Sequence, residues 1–234
     1  MNSSAQVQKL PIGIQSFEKM RTEGFAYVDK TPFIASLVKN GSYYFLSRPR
    51  RFGKSLFIDT LDCAFSGRKK LFNGLFLDDP NSGWDWTRIY PVLRIDWSAF
   101  PVRTSDDLRA GIQEIIYEWG RKWGCSASEG SLSGNFSHIV RSIHESAGEK
   151  VVILIDEYDK PILDTVEDIQ TAIGMRDILK DFYGVLKSLD PYLKFVMLTG
   201  VSKFVKTGIF SGLNNLNDIT LDSAYSGICG YTER

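Results

Sequence analysis

The chain has 234 residues, 43% of them hydrophobic and 24% charged, which is long and apolar enough for a globular domain with a substantial core. Lysine plus arginine equals aspartate plus glutamate at 28 each, so the overall charge attracts the chain neither to nucleic acid nor to a membrane surface. The three cysteines, Cys63, Cys125 and Cys229, form no CxxC pair and predict neither a zinc site nor a disulfide framework.

The first predicted elements lie before residue 43. Residues 1–12 show no periodic pattern, whereas residues 31–39 have the apolar spacing of an amphipathic helix. Thr31 is placed to cap that helix, with Pro32 at its first position and Gly41 beyond its end. We therefore expect residues 1–42 to form an N-terminal lead and a helix that packs on the core.

A basic turn follows the first predicted strand, an apolar and aromatic run at 43–46. Its sequence, Arg48-Pro-Arg-Arg-Phe-Gly-Lys-Ser55, ends like a Walker A loop, although Arg48 stands where that motif has its first glycine. A helix predicted over 54–65 would point its unpaired N–H groups at the loop, where a phosphate can accept them. The alternative is a solvated basic turn after a strand.

The residue types of this loop suit phosphate binding. Gly53 lets the backbone approach a phosphate closely, Lys54 would reach the β- and γ-phosphates, and the Ser55 hydroxyl would ligate Mg²⁺. Arg50 and Arg51 could instead touch a nucleic-acid backbone, which is a weak indication in a chain of zero net charge. Nucleotide contacts are expected from Arg50, Arg51, Phe52, Gly53, Lys54, Ser55 and Leu56.

The middle of the chain continues the alternation of strands and helices. Residues 90–96 predict a strand, residues 105–123 a helix by their apolar periodicity, and residues 136–147 a second helix. A continuous apolar run at 151–155 predicts a strand of the kind that parallel sheets bury on both faces. It ends in Asp156-Glu157, which is the form of a Walker B motif.

The acidic residues after this strand would lie at the carboxyl edge of the sheet, beside the basic loop, where ligands bind in such folds. Asp156 would hold Mg²⁺, and Glu157 would polarise a water molecule against the γ-phosphate. The alternative is a solvated acidic turn at 156–159. Two motifs in the right order, each after an apolar strand, favour nucleotide binding over that alternative.

The last predicted elements are a helix over 171–189 and a buried strand over 193–198, while residues 208–234 show no strong period. Thr199, at the end of the strand, could sense the γ-phosphate or orient the attacking water, or could simply cap a turn. The whole pattern predicts an α/β fold, a three-layer sandwich around a central, mostly parallel sheet.

Longer runs of the chain resemble one family, the predicted AAA-ATPase-like proteins of bacteria. The similarity lies in the basic loop, in Ile155-Asp-Glu-Tyr-Asp-Lys-Pro161 and in Leu198-Thr-Gly-Val-Ser-Lys-Phe204. It extends to Leu10-Pro-Ile-Gly-Ile-Gln-Ser-Phe17 with Tyr27-Val-Asp-Lys30, and to Phe210-Ser-Gly-Leu-Asn-Asn-Leu-Asn-Asp-Ile-Thr220. The resemblance therefore covers nearly the whole chain.

The resemblance implies a P-loop ATPase core of the additional-strand type over residues 43–234, with ATP and Mg²⁺ as its ligands. It implies the roles given above for Lys54, Ser55, Asp156 and Glu157, and a sensor role for Thr199. Members of the family commonly carry a further domain that resembles restriction-endonuclease-like nucleases. We therefore expect the chain to be a fragment that lacks a C-terminal domain, and its oligomeric state stays open.

Three functions are compatible with these motifs. The first is an ATPase that hydrolyses ATP to drive or switch an attached effector domain. The second is a nucleotide-dependent binding module or switch with little hydrolysis, acting with nucleic acid in one version. The third, a small-molecule kinase, is disfavoured because Glu157 suits water as the nucleophile.

The compartment is predicted from the same sequence. The first nine residues are polar and lack an apolar signal core, and the longest apolar runs are too short to span a bilayer. Cysteines without a disulfide pattern favour a reducing environment. We therefore expect a cytoplasmic protein with no membrane partner.

Overall fold

The computed structural model describes residues 9–126, 130–202, 208–210, 213 and 215–231, so the ends of the predicted lead and tail lie outside the described residues. Its centre is a five-stranded sheet in which every pairing is parallel. The strands are β1 (Tyr43–Ser47), β2 (Val92–Asp96), β3 (Val151–Asp156), β4 (Leu193–Gly200) and β5 (Asn217–Asp218). Their spatial order is β2-β3-β4-β1-β5. The prediction of an α/β fold with a parallel sheet is confirmed.

Helices cover both faces of this sheet, because successive apolar side chains of β3 point to opposite faces and both sets are buried. Val151, Ile153 and Ile155 belong to one buried cluster, and Val152 and Leu154 belong to the other. The first cluster packs against α4 (Ser105–Trp123), α5 (Leu132–Ala147) and α7 (Ile169–Gly184), and the short α6 (Lys160–Leu163) lies beside α7. The second packs against α1 (Phe17–Thr22), α2 (Thr31–Asn40) and α3 (Lys54–Phe65).

Local capping sets the ends of several helices and corrects some predicted boundaries. α5 begins at Leu132 rather than at 136, because the Ser131 side chain accepts a hydrogen bond from the N–H of Gly134. α7 begins at Ile169, after the Asp168 cap, and gives way to a short 3₁₀ turn after Gly184, so the predicted helix over 171–189 is displaced. The ends of α3 and α4 coincide with the predicted ones.

Two further predictions are wrong in detail, and one strand was not predicted. Thr31 does not cap α2; it is the first helical residue, and its hydroxyl accepts from the N–H of Leu77. β2 begins at Val92 rather than at 90, because the N–H of Tyr90 donates to the carbonyl of Phe65 at the end of α3. The aperiodic tail contains β5, which pairs with β1 through Tyr44 and Phe45.

Candidate functional site

The carboxyl ends of β1, β3 and β4 meet at one edge of the sheet. The register pairs Leu46 with Thr199 and Ser47 with Gly200, and it pairs Ile155, just before Asp156, with Leu198. A cleft of about 860 Å³ lies beside this edge. Its lining consists of the loop after β1, the first turn of α3, Glu157 and segments within 11–30 and 228–231.

Lys54 is the buried cation of this cleft, with 5% of its surface exposed. Its ammonium group folds back over the loop and donates to the carbonyls of Arg48 at 2.9 Å and Pro49 at 3.0 Å. Helix α3 starts without a side-chain cap, so the N–H groups of its first turn have no side-chain acceptor at the loop. The loop therefore gathers a positive charge and the N-terminus of a helix around one concave surface.

The arginine that replaces the first glycine of the motif fits the loop without backbone strain. The left-handed backbone positions of the loop are Arg51, with φ of 65°, and Gly53, with φ of 87°, and Arg48 is not among them. The Arg48 guanidinium donates to the carbonyl of Ser47 at 3.2 Å and to that of Thr220. Arg48 thus ties the loop to the segment after β5, a link that sequence reasoning missed.

Asp156 lies at the end of β3 and is almost fully buried, with 1% of its surface exposed. Its Oδ1 accepts hydrogen bonds from the Thr199 hydroxyl and from the N–H of Glu157. Its Oδ2 is also buried and has no hydrogen-bond partner among the described residues. An unpaired buried carboxylate oxygen is costly, so this atom is suited to a cation.

The residues at this edge fit a Mg²⁺ ion that is bound mainly through a ligand. In the part of the chain that the structure describes, no group of three or more His, Cys, Asp or Glu side chains could hold a metal. Mg²⁺ prefers oxygen ligands and is commonly held by one or two protein groups together with phosphates and water. Asp156 Oδ2 and the Ser55 hydroxyl, which lines the cleft, are of the right chemical type.

Glu157 lines the cleft next to Asp156 and adopts a left-handed backbone conformation with φ of 53°. Burial raises the pKa of its carboxyl group, and the neighbouring charge of Asp156 raises it further, whereas Lys160 and Lys54 oppose the shift. A carboxylate with a raised pKa is a better proton acceptor near neutral pH. The chemistry available to Glu157 is therefore that of a general base.

Thr199 is fully buried, and the described residues that line the cleft do not include it. Its hydroxyl is directed at Asp156 Oδ1, so in this structure it contacts the acid at the end of β3. The predicted sensor position thus lies next to the predicted metal ligand, within the central strands of the sheet.

The structure brings together most of the predicted site residues and buries two neighbours of Glu157 that the sequence did not single out. The cleft is lined by Glu157 and by all seven loop and helix residues predicted to contact nucleotide: Arg50, Arg51, Phe52, Gly53, Lys54, Ser55 and Leu56. These neighbours are Tyr158 and Asp159, which are 0% and 1% exposed, so Glu157 is the one residue of the acidic turn at 156–159 that is not buried. The aromatic Tyr158 inside an acidic run was the available sequence signal for burial.

The far wall of the cleft comes from the two ends of the described chain. Lys30 donates from its ammonium group to the carbonyl of Gly227 at 2.8 Å, across 197 positions of sequence. The N–H of Gly230 donates to the carbonyl of Phe52 at 2.9 Å. Burial raises the pKa of the neighbouring Cys229 thiol to about 11. The segment at 227–230 is therefore joined both to Lys30 and to the loop after β1.

Over the described residues, none of the helices has the length and the apolar content needed to cross a bilayer.

The fold and the cleft define an α/β domain with a parallel central sheet and a basic loop and acidic turn at its carboxyl edge, consistent with a P-loop-like domain. Residues 11–210 match the family described as predicted AAA-ATPase, and the chain belongs to this AAA-ATPase-like family. That membership is what the resemblance of the sequence implied, and it indicates a nucleotide-binding ATPase.

The chain is also similar to an uncharacterized protein in the vnfD 5′ region of Azotobacter chroococcum mcd 1. The two are 48% identical over 227 residues, which cover 97% of this chain. The chain spans 43% of the length of that relative. No solved structure matches the chain.

Proposed function

We propose that this domain binds ATP with Mg²⁺ in the cleft and hydrolyses it to drive or switch an attached effector domain. The observation that carries the proposal is the unpaired, buried Oδ2 of Asp156, the residue before Glu157, because Glu157 lines the cleft together with Lys54. Anion-binding and cation-binding groups at one sheet edge match what a nucleotide triphosphate with its metal requires.

Each residue of the site has a role in this proposal. Lys54 exchanges its two loop carbonyls for the β- and γ-phosphates, and the first N–H groups of α3 hold the phosphates from the other side. Ser55 and Asp156 are the protein ligands of the metal. When bound, Mg²⁺ neutralises phosphate charge. Glu157 accepts the proton of the attacking water.

Thr199 acts through Asp156 in this proposal, because its hydroxyl holds one carboxylate oxygen and leaves the other for the metal. The order of the strands agrees with the additional-strand type of P-loop domain, since β4 lies between β1, which leads into the loop, and β3, which ends at Asp156. Arg50, Arg51, Phe52, Gly53 and Leu56 form the rim that closes on the nucleotide.

A second candidate function is a nucleotide-dependent switch with little hydrolysis that acts with nucleic acid. It is favoured by Arg50 and Arg51, which are exposed at the rim of the cleft. No ion pair among the described residues involves either of them, so both are available for an external phosphate. The zero net charge of the chain makes this the weaker candidate.

Thermal unfolding with and without Mg²⁺-ATP tests the binding step. A ligand at a hundred times its dissociation constant adds about 2.7 kcal/mol to the free energy of unfolding, which corresponds to a rise in Tm of about 5–10 °C. We expect this rise in the wild type and in Lys39→Ala, an exposed lysine at the end of α2, and its loss in Lys54→Ala. Equal shifts in wild type and Lys54→Ala would contradict the assignment of the phosphate site.

Release of inorganic phosphate separates the two candidate functions. An ATPase loses turnover in Glu157→Gln while retaining the thermal shift, because the nucleotide still binds but the proton acceptor is gone. A switch shows no turnover in the wild type, and single-stranded DNA or RNA then alters its affinity for ATP. The absence of turnover and of any nucleic-acid effect would contradict both.

The effector domain is proposed for the whole protein. Its support is that the Azotobacter chroococcum mcd 1 relative is more than twice as long as the part of it that this chain matches. A nuclease-like identity for that domain, like an oligomeric state, remains a prediction from the family resemblance.

A further inference from the structure

The turn after β3 and the end of β4 are joined by hydrogen bonds from Tyr158 and Asp159. The N–H of Tyr158 donates to the carbonyl of Thr199 at 2.9 Å, and its hydroxyl donates to the carbonyl of Ser202 at 2.5 Å. Asp159 Oδ2 accepts from the N–H groups of Val201 at 3.0 Å and Ser202 at 2.6 Å. Two successive residues of one turn thereby hold Thr199 at the end of β4 and the two residues after the strand, Val201 and Ser202.

Asp159 is an unusual group for this position. It is 1% exposed, and no ion pair among the described residues includes it. Burial raises the pKa of its carboxyl group, while the amides of Ser202 and Val201 and the charge of Lys54 oppose that shift. A buried carboxylate held by backbone amides is a costly way to close a turn, so a purely structural role explains it poorly.

Close packing makes the connection rigid. A Cβ atom on Gly200 would overlap the ring of Tyr158 and lie 2.7 Å from Asp159 Oδ1, so glycine is needed for the approach of the two segments. The Tyr158 ring also packs against Phe45 of β1, with ring centroids 5.3 Å apart. The turn, β4 and β1 therefore behave as one unit at the edge that carries the site.

We propose that Asp159 is a positioning residue of the ATPase reaction. By holding Val201 and Ser202 it fixes the end of β4, and through Thr199 it sets the carboxylate of Asp156 and the direction of Glu157. Asp159 does not line the cleft, so it acts without touching the nucleotide. The inference rests on the proposed function and deepens it.

This role predicts a division between the two parts of the site. The loop after β1 and the start of α3 hold the nucleotide in its ground state, and among the described residues no hydrogen bond joins either of them to Asp159. Glu157 and Asp156 act on the terminal phosphate, and their placement depends on the turn. Loss of Asp159 therefore weakens interactions specific to the transition state more than it weakens nucleotide binding.

The test compares the affinity for ADP with the affinity for ADP plus aluminium fluoride, a mimic of the transition state, both with Mg²⁺. We expect Asp159→Ala to lose at least tenfold in affinity for the mimic and less than threefold for ADP, as measured by isothermal titration calorimetry. Asp159→Asn retains one acceptor oxygen, so its loss for the mimic should be intermediate, above threefold.

The matched control is Asp168→Ala. Asp168 also accepts two backbone N–H groups, from Gln170 and Thr171, but it is exposed at the start of α7 and outside the cleft. The Asp168→Ala variant should bind both ADP and the transition-state mimic as the wild type does. This result would separate positioning at the site from the general loss of a carboxylate cap.

The outcomes distinguish this inference from the proposed function. Wild-type protein that binds neither ADP nor the mimic overturns both. Wild-type protein that binds both ligands, with Asp159 variants that lose equal factors for the two or lose nothing, overturns only the positioning role. If Asp159→Ala does not fold, Asp159→Asn decides the matter, and a change in the ratio of its two affinities of less than threefold overturns the inference.

Discussion

The two parts of the site are built in opposite ways. In the loop after β1, Phe52 is 46% exposed, Arg51 adopts a left-handed backbone and Lys54 is satisfied by carbonyls of its own loop. In the turn after β3, Tyr158 and Asp159 are buried, and each is hydrogen-bonded to Ser202, just beyond the end of β4. One part is open and the other is closed against the core.

This difference indicates that the two regions would respond differently to a ligand. The contacts of Lys54 with the loop are of a kind that a phosphate can replace, so the loop can rearrange when a ligand enters. The turn is fixed before any ligand arrives, and fixed dipoles and charges need no reorganisation during a reaction. The structure thus separates a region that can adapt to the ligand from one that is preorganised.

Two glycines give the largest expected contrast between these regions. A Cβ on Gly200 would overlap the Tyr158 ring, so Gly200→Ala should lower the free energy of unfolding by about 3 kcal/mol. A Cβ on Gly53 would meet no atom within 4 Å. Gly53→Ala should therefore lower the free energy of unfolding by only about 1 kcal/mol, the cost of placing alanine in the left-handed conformation at a φ of 87°. Urea unfolding of both variants measures the difference, and equal losses would contradict a tightly packed turn beside an open loop.

The fold was largely predictable because its strands are simple in sequence. β1, β3 and β4 are short, mainly apolar runs of the kind that a parallel sheet buries on both faces, so each can be predicted without knowing which strands it pairs with. β5 was not predictable, since Asn217 and Asp218 have low strand propensity and extend only because they pair with β1. Tertiary pairing decided that element.

The candidate site was predictable only where a local motif describes it. Lys54 and Asp156 belong to short motifs that follow strands, and the parallel sheet brings their segments to one edge. The role of Arg48 and the burial of Asp159 depend on contacts with Thr220 and Ser202, which are distant in sequence. Acidic residues after a strand are usually solvated, so the pattern alone gave no indication that Asp159 is buried.

Removing the Thr199 hydroxyl tests the closed region at its most buried hydrogen bond. Thr199→Val keeps the side-chain shape but leaves Asp156 Oδ1 without its hydroxyl donor, so we expect a loss of about 2 kcal/mol in unfolding free energy. Thr60→Val is the control, because the equally buried Thr60 donates to a neutral helix carbonyl, that of Leu56, and should cost about 1 kcal/mol. Equal losses in chemical denaturation would argue against a charge-assisted bond at the site.

The smallest expected effect concerns the charge of Glu157, at the boundary between the two regions. Its pKa is raised in the folded protein above the ordinary value of 4.5, chiefly by burial, so folding favours the protonated form. The stabilising contribution of that form is complete below the ordinary value and is lost as pH rises through the raised pKa. Glu157→Gln has no charge to bury, so at pH 8 its Tm should exceed that of the wild type by about 1–3 °C.

The pH dependence of this difference provides its check. The gap in Tm between Glu157→Gln and the wild type should close as pH falls toward about 4, where the wild-type carboxyl is protonated in both states. Glu149 supplies the opposite case, because a hydrogen bond from Arg88 lowers its pKa, so Glu149→Gln should lose stability at neutral pH and lose less in acid. A Glu157→Gln variant that is less stable than the wild type at pH 8 would mean that its carboxylate is held by favourable contacts. Glu157 would then belong with the satisfied groups of the closed turn rather than with the groups that face the ligand.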